Sequence, residues 1–226
     1  MVFDFATWVI FVSASLLLAF SPGPGMLYVL SRTLAGGRAV GIASTLGSAV
    51  GGLVHVFAAA FGVSAILASS ALAFTLVKYL GAVFLIYLGL QAIYRSINRH
   101  DGADFSPAAA SYGVQTSFYQ GILSEVLNPK TAIFFLAFIP QFVRPEAGSV
   151  FAQFIFLGLI VVVLNALPDF IIACCSQPVT KLWQAKATFR VGQQFISGLL
   201  LIALGLYLAF SGSRGGDDAA AGAAAR

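Results

Sequence analysis

Residues 39–77 read AVGIASTLGSAVGGLVHVFAAAFGVSAILASSALAFTLV, and nothing between Arg38 and Lys78 is an aspartate, glutamate, lysine or arginine. A membrane-crossing helix needs about 20 mainly apolar residues, and this run outlasts that length. The pattern recurs downstream, where only Glu146 and Asp169 interrupt the stretch from Arg144 to Lys181. Over all 226 residues, 59% are hydrophobic and 9% charged, against about 45–50% apolar and about 25% charged in a soluble domain. The mean hydropathy of +0.94 excludes a soluble enzyme, and with it a disordered or fibrous chain. The expected fold class is an all-α integral membrane protein.

Apolar runs, read against turn and charge signals, place six transmembrane helices at about 5–31, 40–66, 72–94, 114–143, 150–174 and 191–211. The longest polar connection runs from Arg95 to Tyr112 and holds Arg95, Asn98, Arg99, His100, Asp101, Asp104 and Pro107. It divides a domain of residues 1–211 into a first repeat at 1–94 and a second at 114–211, with 95–113 as a cytoplasmic loop. The small, polar stretch 212–226 reads as a disordered tail. The connections after the first, third and fifth spans carry Arg32, Arg38, Arg95, Arg99, Lys181, Lys186 and Arg190. The opposite side carries Arg144, Arg214, Arg226 and, near that interface, Lys78. The excess on the first side places those connections in the cytoplasm and both termini outside. A half of three spans enters on one face and leaves on the other. Two similar halves are then related by inverted topology, as in many secondary transporters.

The net charge of +4 comes from basic residues scattered singly among apolar helices, which argues against a nucleic-acid partner. Cys174 and Cys175 are adjacent in an apolar run, offer no disulfide framework or metal spacing, and are expected as buried thiols. The N-terminus has neither the basic region nor the small-residue cleavage site of a signal peptide, so the first helix is expected to stay.

Two spans are broken by proline. The first is interrupted at Ser21-Pro22-Gly23-Pro24-Gly25 and the fourth at Asn128-Pro129-Lys130-Thr131. Proline lacks the backbone donor and clashes with the preceding turn, so neither span runs as one regular helix. Each break also reads as a helix start, with Ser21 or Asn128 as N-cap and Pro22 or Pro129 at the first helical position. At the first break, Pro24 is an alternative opening residue. Free N–H groups and a positive dipole end at mid-membrane suit an anion. Irregular backbone at that depth requires surrounding protein or a water-filled cavity. A pair of structural kinks is the alternative, but matching positions in the two halves point to a site for a small carboxylate-bearing solute.

The stretches FSPGPGMLYVLSRTLAGGRAVGIAS (20–44) and GILSEVLNPKTAIFFLAFIPQFV (121–143) resemble the signatures of the LysE/RhtB amino-acid exporters. The resemblance extends to the length, the six hydrophobic segments and the central loop. It implies a bacterial inner-membrane carrier that exports a small amino acid or derivative by proton antiport, without naming the substrate. An exporter of a metal ion or another small solute on the same scaffold is the alternative.

Ionisable groups at bilayer depth are costly and mark function by default. Lys130, in the middle of the fourth span, has two roles open to it: neutralising a substrate carboxylate beside Asn128, or an internal ion pair with Glu125 or Asp169. Glu125 shares a helical face with Gly121 and Asn128, and is either a proton carrier or the counter-ion of Lys130. The family it resembles more often has an uncharged polar residue there. Asp169 follows Pro168 on a face with Asn165, Ala173 and Ser176, and is a second candidate for proton coupling, for which the resemblance gives no support. His55 lies on the small-residue face of Ser48, Gly51, Gly52 and Ala59, suited to close helix approach. It is read as a structural histidine ahead of a proton relay. Tyr28 is a candidate for the cavity wall, Arg32 is expected at cytoplasmic headgroups, and Trp8 and Trp183 fit an interfacial belt. No metal or cofactor is expected, and no HExxH, GxSxG or facing aspartate pair marks an enzyme. The expected partners are the small solute, protons and the lipid bilayer, with a homo-oligomer suggested by the small-residue strips.

Overall fold

The computed structural model describes residues 4–21, 23–69, 71–98, 113–175 and 187–211, and all regular structure among them is helical. The expectations for Pro22, the central loop beyond Asn98, Ser176, Lys181, Trp183, Lys186 and the tail lie outside the described residues. Helix α1 (Phe5–Phe20) is capped by Asp4, which accepts from the Thr7 N–H at 3.2 Å. Hydrogen bonds from Thr7 hold the Asp4 carboxyl below the usual carboxylate range. Helix α2 (Pro24–Ser69) opens on proline and is continuous except at Gly37, whose φ of 78° and ψ of −173° break it. At about 1.5 Å per residue, its 46 residues would run more than twice the roughly 30 Å of a bilayer core. The chain turns at the one residue type that takes this φ without a Cβ penalty. The connection expected at 32–39 is therefore a single-residue break rather than a loop.

Helix α3 (Ala71–Asn98) runs past the expected boundary at 94. Helices α4 (Val114–Val126) and α5 (Pro129–Ala137) flank the second break, and two 3-10 turns, Ile139–Phe142 and Pro145–Ala147, lead to α6 (Val150–Cys174). Helix α7 (Ala187–Ser211) begins before the expected 191. Buried Gln153 closes the connection into α6 by accepting from the Arg144 N–H at 3.0 Å and donating to the Arg144 and Gly148 carbonyls at 2.8 and 3.2 Å. Among the described residues, three stretches are long and apolar enough to cross a membrane: Pro24–Ala65, Tyr79–Asn98 and Val150–Cys174. Val114–Val126 and Pro129–Phe142 together make a fourth, bent by 51°, and Phe5–Phe20 is a shorter apolar helix. Phe61, Val83, Leu127 and Phe210 face outward, a surface suited to lipid and not to water.

The interior is aromatic where α1 meets α5 and the following turn. Phe134, Phe138 and Phe142 project from one face at helical spacing, and Phe138 stacks on Phe11 of α1 at 5.7 Å. Elsewhere small residues set the approach. A Cβ on Gly47 of α2 would collide with the Phe118 carbonyl of α4, and one on Gly51 would lie 2.7 Å from the Ile122 carbonyl. The small-residue strip of α2 thus has α4 as its neighbour. Between α3 and α7 the contact is reciprocal: a Cβ on Gly89 would sit 2.5 Å from the Gly198 carbonyl, and one on Gly198 would sit 2.6 Å from that of Gly89. Ala82 faces Gly205 further along, so the two helices run antiparallel. The cysteines depart from expectation. Cys174 ends α6 and Cys175 caps it, so both thiols are exposed rather than buried.

Candidate functional site

The second break forms as its sequence directs. Asn128 is the N-cap of α5, its side chain accepting from the Lys130 N–H at 3.1 Å, and Pro129 takes the first helical position. The first break takes the alternative form. Ser21 terminates α1, with its N–H on the Leu17 and Leu18 carbonyls, and Pro24 opens α2. Ser21 is therefore a C-cap and not an N-cap, because two prolines so close leave only Pro24 followed by an uninterrupted helix.

The two breaks meet around a cavity with ≈ 50 Å³ of free volume. One water needs about 10–15 Å³ by the same measure, so the space holds a few waters and must widen for a larger solute. The first break contributes Ser21, Gly23 and Gly25, and the second contributes Glu125, Asn128, Lys130 and Thr131. Helix α6 closes one side with Asn165 and Asp169. Eight of the residues read from the sequence as candidates for solute binding or proton coupling, namely these without Asn165, thus line one cavity. Pro24 and Pro129 are exposed and shape the breaks from outside the lining.

Lys130 joins the two breaks directly. Its ammonium donates to the Leu18 carbonyl at 2.8 Å and the Ser21 carbonyl at 2.6 Å. These are the terminal carbonyls of α1, at the negative end of its dipole. The hydrogen bonds of Lys130 therefore go to backbone, whereas the sequence suggested a carboxylate. Gly23 leaves room for this side chain: a Cβ there would lie 3.3 Å from Lys130 Cδ. Buried Glu125 accepts from Asn128 Nδ2 at 3.1 Å, and a Cβ on Gly25 would lie 2.9 Å from Glu125 Oε2. Asp169 is 9% exposed and makes no hydrogen bond among the described residues.

His55 stands behind this wall and does not line it. Its Nε2 lies 2.8 Å from the main-chain carbonyl of Glu125, and its ring stacks on Phe135 at 6.2 Å. A carbonyl only accepts, so Nε2 carries the proton. Tyr28 is likewise outside the lining: its hydroxyl donates to the Ser117 carbonyl at 2.7 Å, tying α2 to α4. Arg32 turns inward to Gln120 Oε1 at 2.6 Å and over the Tyr28 ring at 5.3 Å, in place of the expected headgroups. Trp8 packs edge-on against Phe11 and Phe156 at 6.0 and 6.4 Å.

Thr45, Ser48 and Phe135 also line the cavity, and no role was foreseen for any of them there. The signal was present for the first two: Thr45, Ser48, Ala49 and Gly52 repeat at helical spacing, a small and polar stripe in an apolar helix. Thr45 Oγ1 donates to its own helix at the Gly41 carbonyl, 3.0 Å away, whereas the buried Ser48 Oγ has no partner among the described residues.

Known proteins match most of the chain. The chain is 30% identical over 201 residues to the uncharacterized membrane protein YrhP of Bacillus subtilis, covering 87% of this chain and 95% of the relative. It is 30% identical over 162 residues to the homoserine/homoserine lactone efflux protein of Salmonella typhimurium, covering 71% of this chain and 76% of that protein. It is 27% identical over 164 residues to the leucine efflux protein of Klebsiella pneumoniae, covering 72% and 76%. No solved structure gives a significant match. The family model described as LysE type translocator matches residues 16–212; the chain therefore belongs to that family, as a multi-pass protein of the bacterial inner membrane that is a transporter and not an enzyme.

Proposed function

We propose that this translocator exports a small amino acid or amino-acid derivative in exchange for protons. The observation that carries the reading is the meeting of the two broken helices at one cavity that also holds Glu125, Lys130 and Asp169. Relatives named for efflux of homoserine, homoserine lactone and leucine support the solute class. In this reading residues 1–94 and 114–211 are inverted repeats of three spans each, joined by a cytoplasmic loop at 95–113. The antiparallel, reciprocal contact of α3 with α7 supports it, since the third spans of inverted halves run in opposite directions. The helix starts after the two breaks face the solute, a buried carboxylate is alternately protonated, and one half rocks against the other to change access.

The test is transport by purified protein in vesicles with an imposed pH gradient, using labelled threonine, homoserine, leucine, cysteine, lysine and arginine. Saturable movement of at least one, abolished by a protonophore, is the expected result. Movement that persists without the gradient removes the proton from the reading. No movement of any of the six by folded protein removes the amino acid and moves the assignment to metal ions or other small solutes.

A further inference from the structure

Of the cavity's polar side chains that make no hydrogen bond among the described residues, Asp169 is the one that carries a charge, and Ser48 Oγ is the one fully enclosed. Asp169 on α6 is 9% exposed and Ser48 on α2 is 7% exposed. Both residues line the cavity, and neither side chain makes a hydrogen bond among the described residues. Buried polar groups are as a rule satisfied, and a buried carboxylate needs both opposite charge and hydrogen bonds. Asp169 has the Lys130 ammonium acting on it through space against the like charge of Glu125, and no hydrogen bond among the described residues. The other charged groups around the cavity are occupied. From α4, Glu125 accepts from Asn128. From α5, the Lys130 ammonium is held by the Leu18 and Ser21 carbonyls. From behind on α2, His55 is held on the Glu125 carbonyl.

We infer that Asp169 and Ser48 form a subsite for the ammonium group of the solute, and that the proton and this ammonium take turns on the Asp169 carboxylate. The inference rests on the proposed exporter and names how its site recognises the solute. When Asp169 is protonated, an entering ammonium displaces the proton to water and forms an ion pair, with Ser48 Oγ accepting a second N–H. When the ammonium leaves on the other side, a proton takes its place. Neither cation is held together with the other, so one moves against the other. Recognition lies in the amine: a solute with its carboxylate blocked still binds, and one with its amine blocked does not.

The test is competition against labelled leucine on wild-type protein in detergent, using leucinamide and N-acetylleucine at several pH values. Leucinamide competes within about threefold of leucine, N-acetylleucine is at least tenfold weaker, and leucine binding weakens as pH falls. Asp169→Asn lowers binding at least tenfold and removes the pH dependence, and Ser48→Ala lowers it severalfold while keeping it. The wild-type comparison stands even where Asp169→Asn does not fold. N-acetylleucine binding as well as leucinamide overturns the inference, as does a folded Asp169→Asn protein with wild-type affinity. If wild-type protein binds neither leucine nor leucinamide, labelled methylamine replaces leucine as the probe, and its failure to bind at any pH also overturns the inference. Transport separates the two readings. Amine binding without transport of any amino acid sinks the exporter and keeps the subsite. Proton-driven transport of leucine by Asp169→Asn sinks the subsite and keeps the exporter.

Discussion

At the second break Asn128 caps α5, Pro129 sets its first turn, and Leu127 closes α4 on the Leu123 carbonyl, all within a few residues of one another. At the first break the residue before Pro24 is Gly23, which has no side chain to cap with, and the carbonyls that end α1 are met by Lys130 from the other half of the chain. One break is complete in itself and the other is completed by its counterpart. A movement of one half against the other must then either carry the Lys130 contacts along or break them. The pair of breaks is better regarded as one joint than as two equivalent hinges.

The largest expected effect is therefore at Lys130. Replacing it with methionine removes two charge-assisted bonds, each worth about 1.5–3 kcal/mol, and leaves the end of α1 with only the Ser21 N–H cap on the Leu17 and Leu18 carbonyls. Lys130→Met should lower stability by about 3 kcal/mol or more and abolish transport, read as thermal unfolding in detergent and as flux in vesicles. A Lys130→Met protein that unfolds at the wild-type temperature would mean that the first break holds itself, and the asymmetry would be lost. Next in size is the glycine that admits Glu125. Gly25→Ala places a Cβ 2.9 Å from Glu125 Oε2, and overpacking of this kind costs about 1–3 kcal/mol. Gly23→Ala meets the flexible Lys130 side chain at 3.3 Å and should be milder in both stability and flux. The reverse order would place the tighter joint at Lys130 rather than at Glu125.

How much of this was legible follows the same division. The membrane class, the two breaks and the cap at Asn128 are written in local patterns: charge-free runs, proline positions, and an N-cap residue before proline. Asn128, Lys130 and Thr131 were marked by the break they form, and Glu125, Lys130 and Asp169 by the cost of ionisable groups at bilayer depth; all five line the cavity. The partners were not marked. That Lys130 would meet the Leu18 and Ser21 carbonyls, that His55 would meet a main-chain carbonyl, and that Arg32 would turn to Gln120 depend on which helices touch, and a single sequence does not encode that in its spacing. Gly37 was hidden for a different reason. A charged and glycine-containing connection reads as a loop, and nothing local distinguishes it from a helix that breaks at one residue. Cys174 and Cys175 were misplaced because an apolar run does not reveal where its helix ends.

The smallest effects should come from the self-contained break, where the two functions of Asn128 can be separated. Its Oδ1 caps α5, and its Nδ2 donates to Glu125 Oε2 at 3.1 Å. Asn128→Ala loses both and should cost about 1 kcal/mol for the cap, with a further loss at Glu125. Serine is as good an N-cap as asparagine but is too short to reach the carboxylate as well. Asn128→Ser should therefore recover most of the stability lost in alanine while leaving transport impaired. Because the capped group is the main-chain N–H of Lys130 and not its ammonium, neither variant should release the end of α1, and both should unfold at higher temperatures than Lys130→Met. An alanine variant less stable than Lys130→Met would reverse the order of dependence, making the second break the foundation of α5 and the bond to α1 its consequence.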